Sequence, residues 1–171
     1  MPLFLNESVS FAEAISNLNE LPILVLGHRR PDGDCIGSQV ALTRILLSLG
    51  KDARAVNEDP IPRTLQKFVG DTPFYSPDQV GEGEYQVITV DCADKCRVGD
   101  TLSKRFPKVD LNIDHHVSNT NYGEENFILS DASATGEILA KFFFDSGYEV
   151  DQTTAEALYL GICTDTGQFC Y

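Results

Sequence analysis

The stretch GHRRPDGDCIGS (27–38) places His28, Asp32 and Asp34 in one short segment, directly after the apolar run PILVL. A surface turn tolerates these residues, since Pro-Asp-Gly is common turn chemistry. Imidazole and carboxylate groups are also ligands of divalent cations. Asp32 and Asp34 stand two residues apart, and in an extended loop they could point to opposite sides and so serve two different ions. Taken alone, the segment leaves both a turn and a metal site open.

Acidic and histidine residues recur at three later points in the chain. YQVITVD ends on Asp91, VDLNID ends on Asp114 and is followed by His115 and His116, and CTDTGQF contains Asp165. Each motif has an ordinary alternative, because an aspartate at the end of an element can cap a helix and adjacent histidines can lie in a solvated loop. The four motifs together nevertheless contain every histidine of the chain.

Considered together, the motifs predict a metal centre. They supply carboxylates and imidazoles with no thiolate required, a set that suits Mn²⁺, Mg²⁺ or Fe²⁺ better than a structural zinc ion. One carboxylate shared by two ions would hold them about 3.5–4 Å apart, the separation found in two-metal phosphoryl-transfer centres. The candidate ligands are His28, Asp32, Asp34, Asp91, His115 and Asp165.

The elements that must position these residues alternate between helix and strand. Apolar runs and their spacing predict strands at 22–27, 52–57, 85–91 and 109–114, an extended segment at 126–131, and helices at 8–19, 37–50, 61–70, 100–106, 133–147 and 151–167. This alternation predicts an α/β fold with a mostly parallel central sheet flanked by helices. Ligand groups in such sheets collect beyond the carboxyl ends of the strands, which is where three of the motifs fall.

Composition and charge restrict the partners. A chain of 171 residues with 42% hydrophobic and 23% charged residues suits one globular domain. Its net charge of −13 argues against a grip on long duplex nucleic acid, but not against a small phosphorylated ligand met by metal ions. No apolar run approaches the roughly 18–20 residues of a membrane span. MPLFLNESVS does not read as a signal peptide, so we expect a cytoplasmic protein.

The five cysteines cannot all pair within one chain. Cys92 and Cys96 stand four residues apart and could meet on one helical face, which leaves a zinc site conceivable. No second close cysteine pair completes a tetrahedral set, however. Reduced thiols that pack as small hydrophobic groups are the favoured interpretation.

The order H-x-x-P-D-G-D-x-x-G-S, a strand-terminal aspartate, D-H-H and D-T-G-x-F resembles the DHH phosphoesterase family. The first motif is similar to the branch that degrades very short oligoribonucleotides, dephosphorylates 3′-phosphoadenosine 5′-phosphate or opens cyclic dinucleotides. Manganese-dependent inorganic pyrophosphatases share the DHH pattern but typically carry a serine where this chain has Cys35, and RecJ-type exonucleases have a differently spaced first motif. The motifs run from residue 28 to residue 169 and so cover nearly the whole chain.

The resemblance implies a Rossmann-like DHH domain with two divalent ions, Mn²⁺ foremost. One ion would be bound by His28 and Asp32, the other by Asp34, His115 and Asp165, and Asp91 would bridge both. The catalytic residues would be His116, which would face the substrate phosphate, and Asp114, which would orient a neighbouring histidine. The implied reaction is hydrolysis of a phosphoester in a small nucleotide or short oligonucleotide by metal-bound hydroxide. The resemblance leaves a homodimer open.

Two further residues are candidates for substrate binding. Arg30 could contact the phosphate, although Arg29 and Arg30 are equally well explained as solvated side chains, and Pro31 favours an extended backbone at Arg30. Gly37 and Ser38 would open a helix whose amino terminus could receive an anion, unless Ser38 only caps it.

Members of this branch usually continue into a smaller C-terminal domain that grasps the nucleotide, whereas this sequence stops at Tyr171. We therefore expect residues 1–171 to form a single DHH domain without that substrate-binding domain, either as an excised catalytic domain or as a shortened protein. The alternatives are a metal- and nucleotide-binding relative with little or no turnover, a manganese-dependent inorganic pyrophosphatase, and a plain α/β domain.

Overall fold

A computed structural model describes residues 5–170 of the chain, and our expectations for the first residues and for Tyr171 lie outside this range. The strands are β1 (Ile23–Leu26), β2 (Ala53–Val56), β3 (Phe74–Tyr75), β4 (Gln86–Val90), β5 (Leu111–Asp114) and β6 (Glu125–Ile128). The helices are α1 (Leu5–Asn17), α2 (Gly33–Ser48), α3 (Asp100–Arg105), α4 (Thr135–Ser146) and α5 (Gln152–Asp165). Short 3₁₀ turns lie at Gln66–Phe68, Pro77–Gln79 and Lys95–Val98.

The six strands form one sheet in the order β3-β2-β1-β4-β5-β6, and all neighbouring pairs are parallel. The predicted α/β fold with a parallel central sheet is confirmed. The chain builds outward from β1 to β3 and then returns to the other side of β1 with β4. The boundary between β1 and β4 is therefore the topological switch point, where open α/β sheets bind their ligands.

Both faces of the sheet are buried along β1 and β4, which explains why β1 is a continuous apolar run. Ile23 and Val25 of β1 point into a core shared with α1, α2, α4 and α5. Leu24 and Leu26 point into a second core with residues of α3 and its flanking segments. Among the described residues, no helix is long and apolar enough to span a membrane.

The helix predicted over 61–70 is wrong, because the structure has only a 3₁₀ turn at Gln66–Phe68. Most side chains of this segment are half-buried or exposed, so too little apolar surface is buried to offset the cost of nucleating a longer helix. The prediction also missed β3, an edge strand of two residues that is too short to show a period.

Helix α2 begins at Gly33, four residues before its predicted start at Gly37. Asp32 is its N-cap, and the carboxylate Oδ1 accepts a hydrogen bond from the Cys35 backbone N–H at 3.1 Å. Asp34 consequently lies in the first helical turn, so our expectation that Asp32 and Asp34 lie in an extended loop is wrong.

Candidate metal centre

The loops after β1 and β4 bring His28 and Asp91 together at the switch point. The Asp91 carboxylate is 2% exposed and lies between two imidazoles. Its Oδ2 is 3.5 Å from Nε2 of His28, and its Oδ1 is 3.7 Å from Nε2 of His115. Nδ1 of His116 also lies 3.7 Å from Oδ1, so Oδ2 faces His28 and Oδ1 faces the His115–His116 pair, an arrangement that suits a carboxylate shared by two cations.

The backbone at Asp91 has a φ of 54°, in the left-handed region that residues with a side chain rarely adopt. Such a conformation costs on the order of 1–3 kcal/mol and is concentrated at functional sites. The Asp91 N–H still bonds to the Ile113 carbonyl oxygen at 3.0 Å, and the Thr135 hydroxyl donates to Oδ1 at 3.2 Å. These bonds hold the strained residue and aim its carboxylate.

The ring of His28 is oriented by the adjacent backbone. Its Nδ1 lies 2.8 Å from the Arg29 carbonyl oxygen, which only accepts, so Nδ1 carries the proton and Nε2 faces the carboxylates. Asp32 Oδ2 lies 3.6 Å from Nε2. Burial lowers the pKa of His28, but the hydrogen bonds with Asp32 and Asp91 outweigh it and raise the pKa well above that of a free imidazole. The pocket around Nε2 is therefore strongly attractive to a cation.

His115 shows the same pattern on the other side of Asp91. Its Nδ1 faces the Ala132 carbonyl oxygen at 3.3 Å, which leaves the Nε2 lone pair directed at the carboxylates. Nε2 is buried and has no hydrogen-bond partner, although Asp165 Oδ2 is 3.1 Å away. Burial opposes protonation, yet Asp165 and Asp91 raise the pKa of His115 to about 9. A lone pair that faces carboxylates calls for a cation between them, so these donors fit a divalent metal ion.

Asp34 is fully buried, and two backbone N–H groups at the start of α4 hold its carboxylate. Thr135 N–H donates to Oδ2 at 2.7 Å and Gly136 N–H donates to Oδ1 at 2.9 Å. Burial, and next the charge of Asp91, raise the pKa of Asp34 well above that of an ordinary carboxyl group. A buried acid with so many neighbouring acids is stabilised as a carboxylate only if a cation accompanies it.

Helix α5 completes this side of the centre because it approaches α2 very closely. A Cβ at Gly161 would lie 2.5 Å from Asp34 Oδ1, and a Cβ at Gly37 would lie 2.3 Å from the Ala157 carbonyl oxygen. The glycines let α5 deliver Asp165, its last residue, to His115. Ligand atoms of Asp34, His115 and Asp165 lie within 4.8 Å of one another, a group that could hold one metal ion.

The predicted catalytic pair, His116 and Asp114, lies beside this cluster. Asp114 is fully buried, and its Oδ1 is 2.7 Å from His116 Nδ1. Its Oδ2 accepts a hydrogen bond of 2.6 Å from Asn119. This pairing raises the pKa of His116 and outweighs burial to lower the pKa of Asp114. The His116 side chain is 32% exposed, so it faces the solvent side of the centre.

The two predicted substrate-binding residues differ in exposure, since Ser38 is buried and Arg30 is exposed. Ser38 is fully buried inside α2 and donates to Asp34 Oδ1 at 3.3 Å, because the helix begins at Gly33 and not at Ser38. The helix terminus on which its anion-binding role rested is therefore elsewhere, and that part of the prediction is wrong. Arg30 is exposed, but its φ is 53°, so the expectation of an extended backbone before Pro31 is also wrong.

The sequence motifs missed several residues that build the site. Thr135 and Gly136 hold Asp34, and Asn119 holds Asp114, but none belongs to a motif that signals chemistry. Cys35 was interpreted as an apolar filler, yet it forms a group with His28 and Asp91 whose candidate ligand atoms lie within 4.8 Å. Burial raises the pKa of its thiol to about 11. The position of Cys35, directly after the second aspartate of the first motif, was the one available signal.

The fold and the site together define the class of this protein. It is a parallel α/β protein in which buried carboxylates and imidazoles converge at the switch point of the sheet and form a candidate metal centre. The chain belongs to the DHH family. The profile of the DHH family, N-terminal domain, matches residues 22–162, which include every predicted ligand except Asp165.

Similar proteins agree with this assignment. The chain is 33% identical over 150 residues to the bifunctional oligoribonuclease and PAP phosphatase NrnA of Thermus thermophilus, covering 88% of this chain and 45% of that protein. It is 30% identical over 162 residues to the probable bifunctional oligoribonuclease and PAP phosphatase NrnA of Streptococcus mutans, covering 87% and 47%. The chain thus spans about half the length of these relatives.

Among solved structures, an exopolyphosphatase-related protein from Bacteroides fragilis superimposes with a TM-score of 0.82 at 23% identity. The match covers 97% of this chain and 52% of that one. At this identity the likeness concerns the fold, which is the same.

Proposed function

We propose that the chain is a metal-dependent phosphoesterase domain that hydrolyses small nucleotides. The observation that carries the proposal is the Asp91 carboxylate, which is buried in a strained conformation with one oxygen toward His28 and the other toward His115. A structural aspartate needs neither the strain nor two imidazole neighbours. A carboxylate that bridges two cations needs one oxygen directed at each of them, as Oδ2 is toward His28 and Oδ1 toward His115.

Six residues would hold two divalent ions, with Mn²⁺ preferred over Mg²⁺ and Fe²⁺. His28 and Asp32 would hold one, Asp34, His115 and Asp165 the other, and Asp91 both. Such a pair of ions supplies an activated water and neutralises the charge that develops on a phosphoryl group. The histidines would bind as neutral rings, with Nδ1–H donating to the Arg29 and Ala132 carbonyl oxygens.

His116 acts on the substrate side of the centre. Its Nδ1 is paired with the buried Asp114, whose other oxygen is fixed by Asn119. This pairing sets the ring orientation and favours the protonated imidazole, as the raised pKa of His116 indicates. A cationic ring stabilises a phosphoryl oxygen and provides a proton for the leaving alkoxide. Asp114 is the positioning residue and His116 the catalytic one.

The substrate class follows from charge and from the relatives. With a net charge of −13, the chain lacks the basic surface that grips a long duplex. Relatives named for oligoribonuclease and PAP phosphatase activity point to very short oligoribonucleotides and to 3′-phosphoadenosine 5′-phosphate. Both substrates expose phosphates that a compact metal centre reaches directly.

The test uses the purified chain with Mn²⁺ and four substrates: 3′-phosphoadenosine 5′-phosphate, a dinucleotide RNA, cyclic di-AMP and pyrophosphate. We expect product from the first two. Asp91→Ala should reduce its release by about a hundredfold or more, since even outer-shell changes at metal sites cost about 10–100-fold. Asp78→Ala, at an exposed aspartate in a 3₁₀ turn, is the matched control and should keep wild-type activity.

Each outcome separates one alternative. Hydrolysis of pyrophosphate alone would identify an inorganic pyrophosphatase. Bound metal and bound nucleotide without product from any substrate would instead support a binding domain. No metal uptake after loading with Mn²⁺ would leave a plain α/β domain and end the proposal.

A further inference from the structure

The loops after β1 and β4 enclose a cavity of about 260 Å³ directly beside the candidate metal centre. Two of its lining residues, His28 and Asp32, are the candidate ligands of one ion. The other three are arginines: Arg29, Arg30 and Arg97. Arg97 lies in the 3₁₀ turn Lys95–Val98 after β4 and belongs to no motif that the sequence singles out.

These three guanidinium groups are unusual in so acidic a chain. Acidic residues outnumber basic ones by 26 to 13, and Arg44, Arg54 and Arg105 each form an ion pair with a carboxylate. Within residues 5–170, no ion pair or side-chain hydrogen bond occupies Arg29, Arg30 or Arg97. Of the described residues that line the cavity, Asp32 is the one acidic residue, so three positive charges exceed its single negative charge and suit an anion that is not part of the chain.

The backbone, and not only flexible side chains, builds this cavity. The Arg29 N–H donates to the Arg97 carbonyl oxygen at 2.7 Å, which ties the loop after β1 to the turn after β4. The Arg30 N–H donates to Asp59 Oδ2 at 2.8 Å, which ties the same loop to the segment after β2. Arg30 is held at a φ of 53°, a strained conformation that persists only when its surroundings enforce it.

We propose that this arginine cavity binds a second phosphate group of the substrate while the first is at the metal centre. The inference rests on the proposed function and deepens it. A guanidinium presents a planar fork of N–H donors that matches the oxygens of a phosphate. The substrates so selected carry two phosphates one nucleoside apart: a nucleoside bisphosphate, or a short oligonucleotide with a phosphate beside the scissile one. Arg97 is the specificity-determining residue.

The experiment measures equilibrium binding of 3′-phosphoadenosine 5′-phosphate and of adenosine 5′-monophosphate by calorimetry, with Ca²⁺ in place of Mn²⁺ to slow turnover. The variants are Arg97→Ala and Arg97→Lys, and the matched control is Arg63→Ala, another exposed arginine, which lies away from the cavity. We expect the wild type to prefer the bisphosphate by about tenfold or more, the effect of one charge-assisted hydrogen bond.

Arg97→Ala should bring this preference close to one. Arg97→Lys should retain part of it, because lysine keeps the charge without the fork. Arg63→Ala should keep the wild-type ratio although it removes the same charge. An unchanged ratio in Arg97→Ala, or an equal loss in Arg63→Ala, would overturn the inference. Binding is measured apart from turnover, so the two proposals can fail separately. If the binding preference depends on Arg97 but the protein releases no product with Mn²⁺, the proposed function is contradicted and the arginine cavity is not.

Discussion

Two acidic clusters in this protein are balanced in opposite ways. At the surface, Arg44 forms ion pairs of 2.5 Å with both Asp71 and Asp151, the latter being the N-cap of α5. At the candidate metal centre, no lysine or arginine within residues 5–170 pairs with Asp34, Asp91 or Asp165, and the ion-pair partners of Asp91 and Asp165 are histidines. The first cluster contains its own cation, whereas the second would need one from solution, as we propose.

The pKa values show the same contrast for a single residue type. The Arg44 guanidinium, together with hydrogen bonds from Thr154, lowers the pKa of Asp151. Burial and the charge of Asp91 raise the pKa of Asp34. The direction of the shift in a carboxyl pKa therefore depends on the groups around it. A buried cluster of acids without a lysine or arginine partner is a candidate site for a metal ion.

The largest expected effect is stabilisation of the fold by Mn²⁺. At a hundred times its dissociation constant, a ligand of the native state adds about 2.7 kcal/mol to the free energy of unfolding. For a chain of this size that corresponds to a rise in Tm of about 5–10 °C. Differential scanning calorimetry with Mn²⁺ and with EDTA measures it. Equal Tm values in the two buffers would contradict the comparison, because both clusters would then be self-sufficient.

Gly161→Ala should weaken the metal centre while leaving the Arg44 cluster intact. Its Cβ would lie 2.5 Å from Asp34 Oδ1, which two backbone N–H groups prevent from moving freely. We expect Mn²⁺ affinity to fall by about 10–100-fold, as for other changes next to metal ligands. Isothermal titration gives the affinity, and the Tm in EDTA reports the fold separately. Unchanged affinity would mean that Asp34 is not a ligand.

Stability without metal should depend on pH through the same cluster. The pKa of His115 is raised from 6.5 to about 9, so its stabilising contribution is complete below 6.5 and is lost as the pH rises through 9. The raised pKa of Asp34 acts in the same direction, since protonation relieves its buried charge. In EDTA the Tm should therefore fall by a few degrees between pH 6.5 and pH 9.

The increase in Tm that Mn²⁺ produces should rise over the same pH interval. Protons compete with the cation for the imidazoles, so the Tm increase produced by Mn²⁺ should be larger at pH 9 than at pH 6.5. Asp32 and Asp114, whose pKa values are lowered, titrate below this interval and should not interfere. A Mn²⁺ effect independent of pH would argue that the histidines are not ligands.

The smallest expected effect is that of Arg44→Met, which removes the internal cation but keeps an apolar stem. Asp71 and Asp151 are 87% and 52% exposed, so solvent screens both ion pairs and each contributes little to the free energy of unfolding. Chemical denaturation should show only a small loss, while Mn²⁺ affinity should stay at the wild-type value. A loss of metal affinity in this variant would show that the two clusters are coupled through α2 and α5.

The alternation of elements and the ligand candidates could be predicted from the sequence. Strands β1 and β4 are buried on both faces, and the motif residues follow them directly. Because parallel strands end at a common edge, strand ends predict neighbours. The wrong predictions concern features that no local pattern indicates. These are the start of α2 at Gly33, after the Asp32 N-cap, and the 3₁₀ turn at Gln66–Phe68.

Sequence alone determined which residue types follow each strand, since the apolar run of a strand and the residues after it are local properties of the chain. Only the tertiary structure decided how those residues are used. The crossing of α2 and α5 at Gly37 and Gly161 decided that Asp165 meets His115, and the enforced backbone of Arg30 decided that three arginines share one cavity. Contacts between distant segments depend on packing distances and backbone angles, which no spacing of residues encodes.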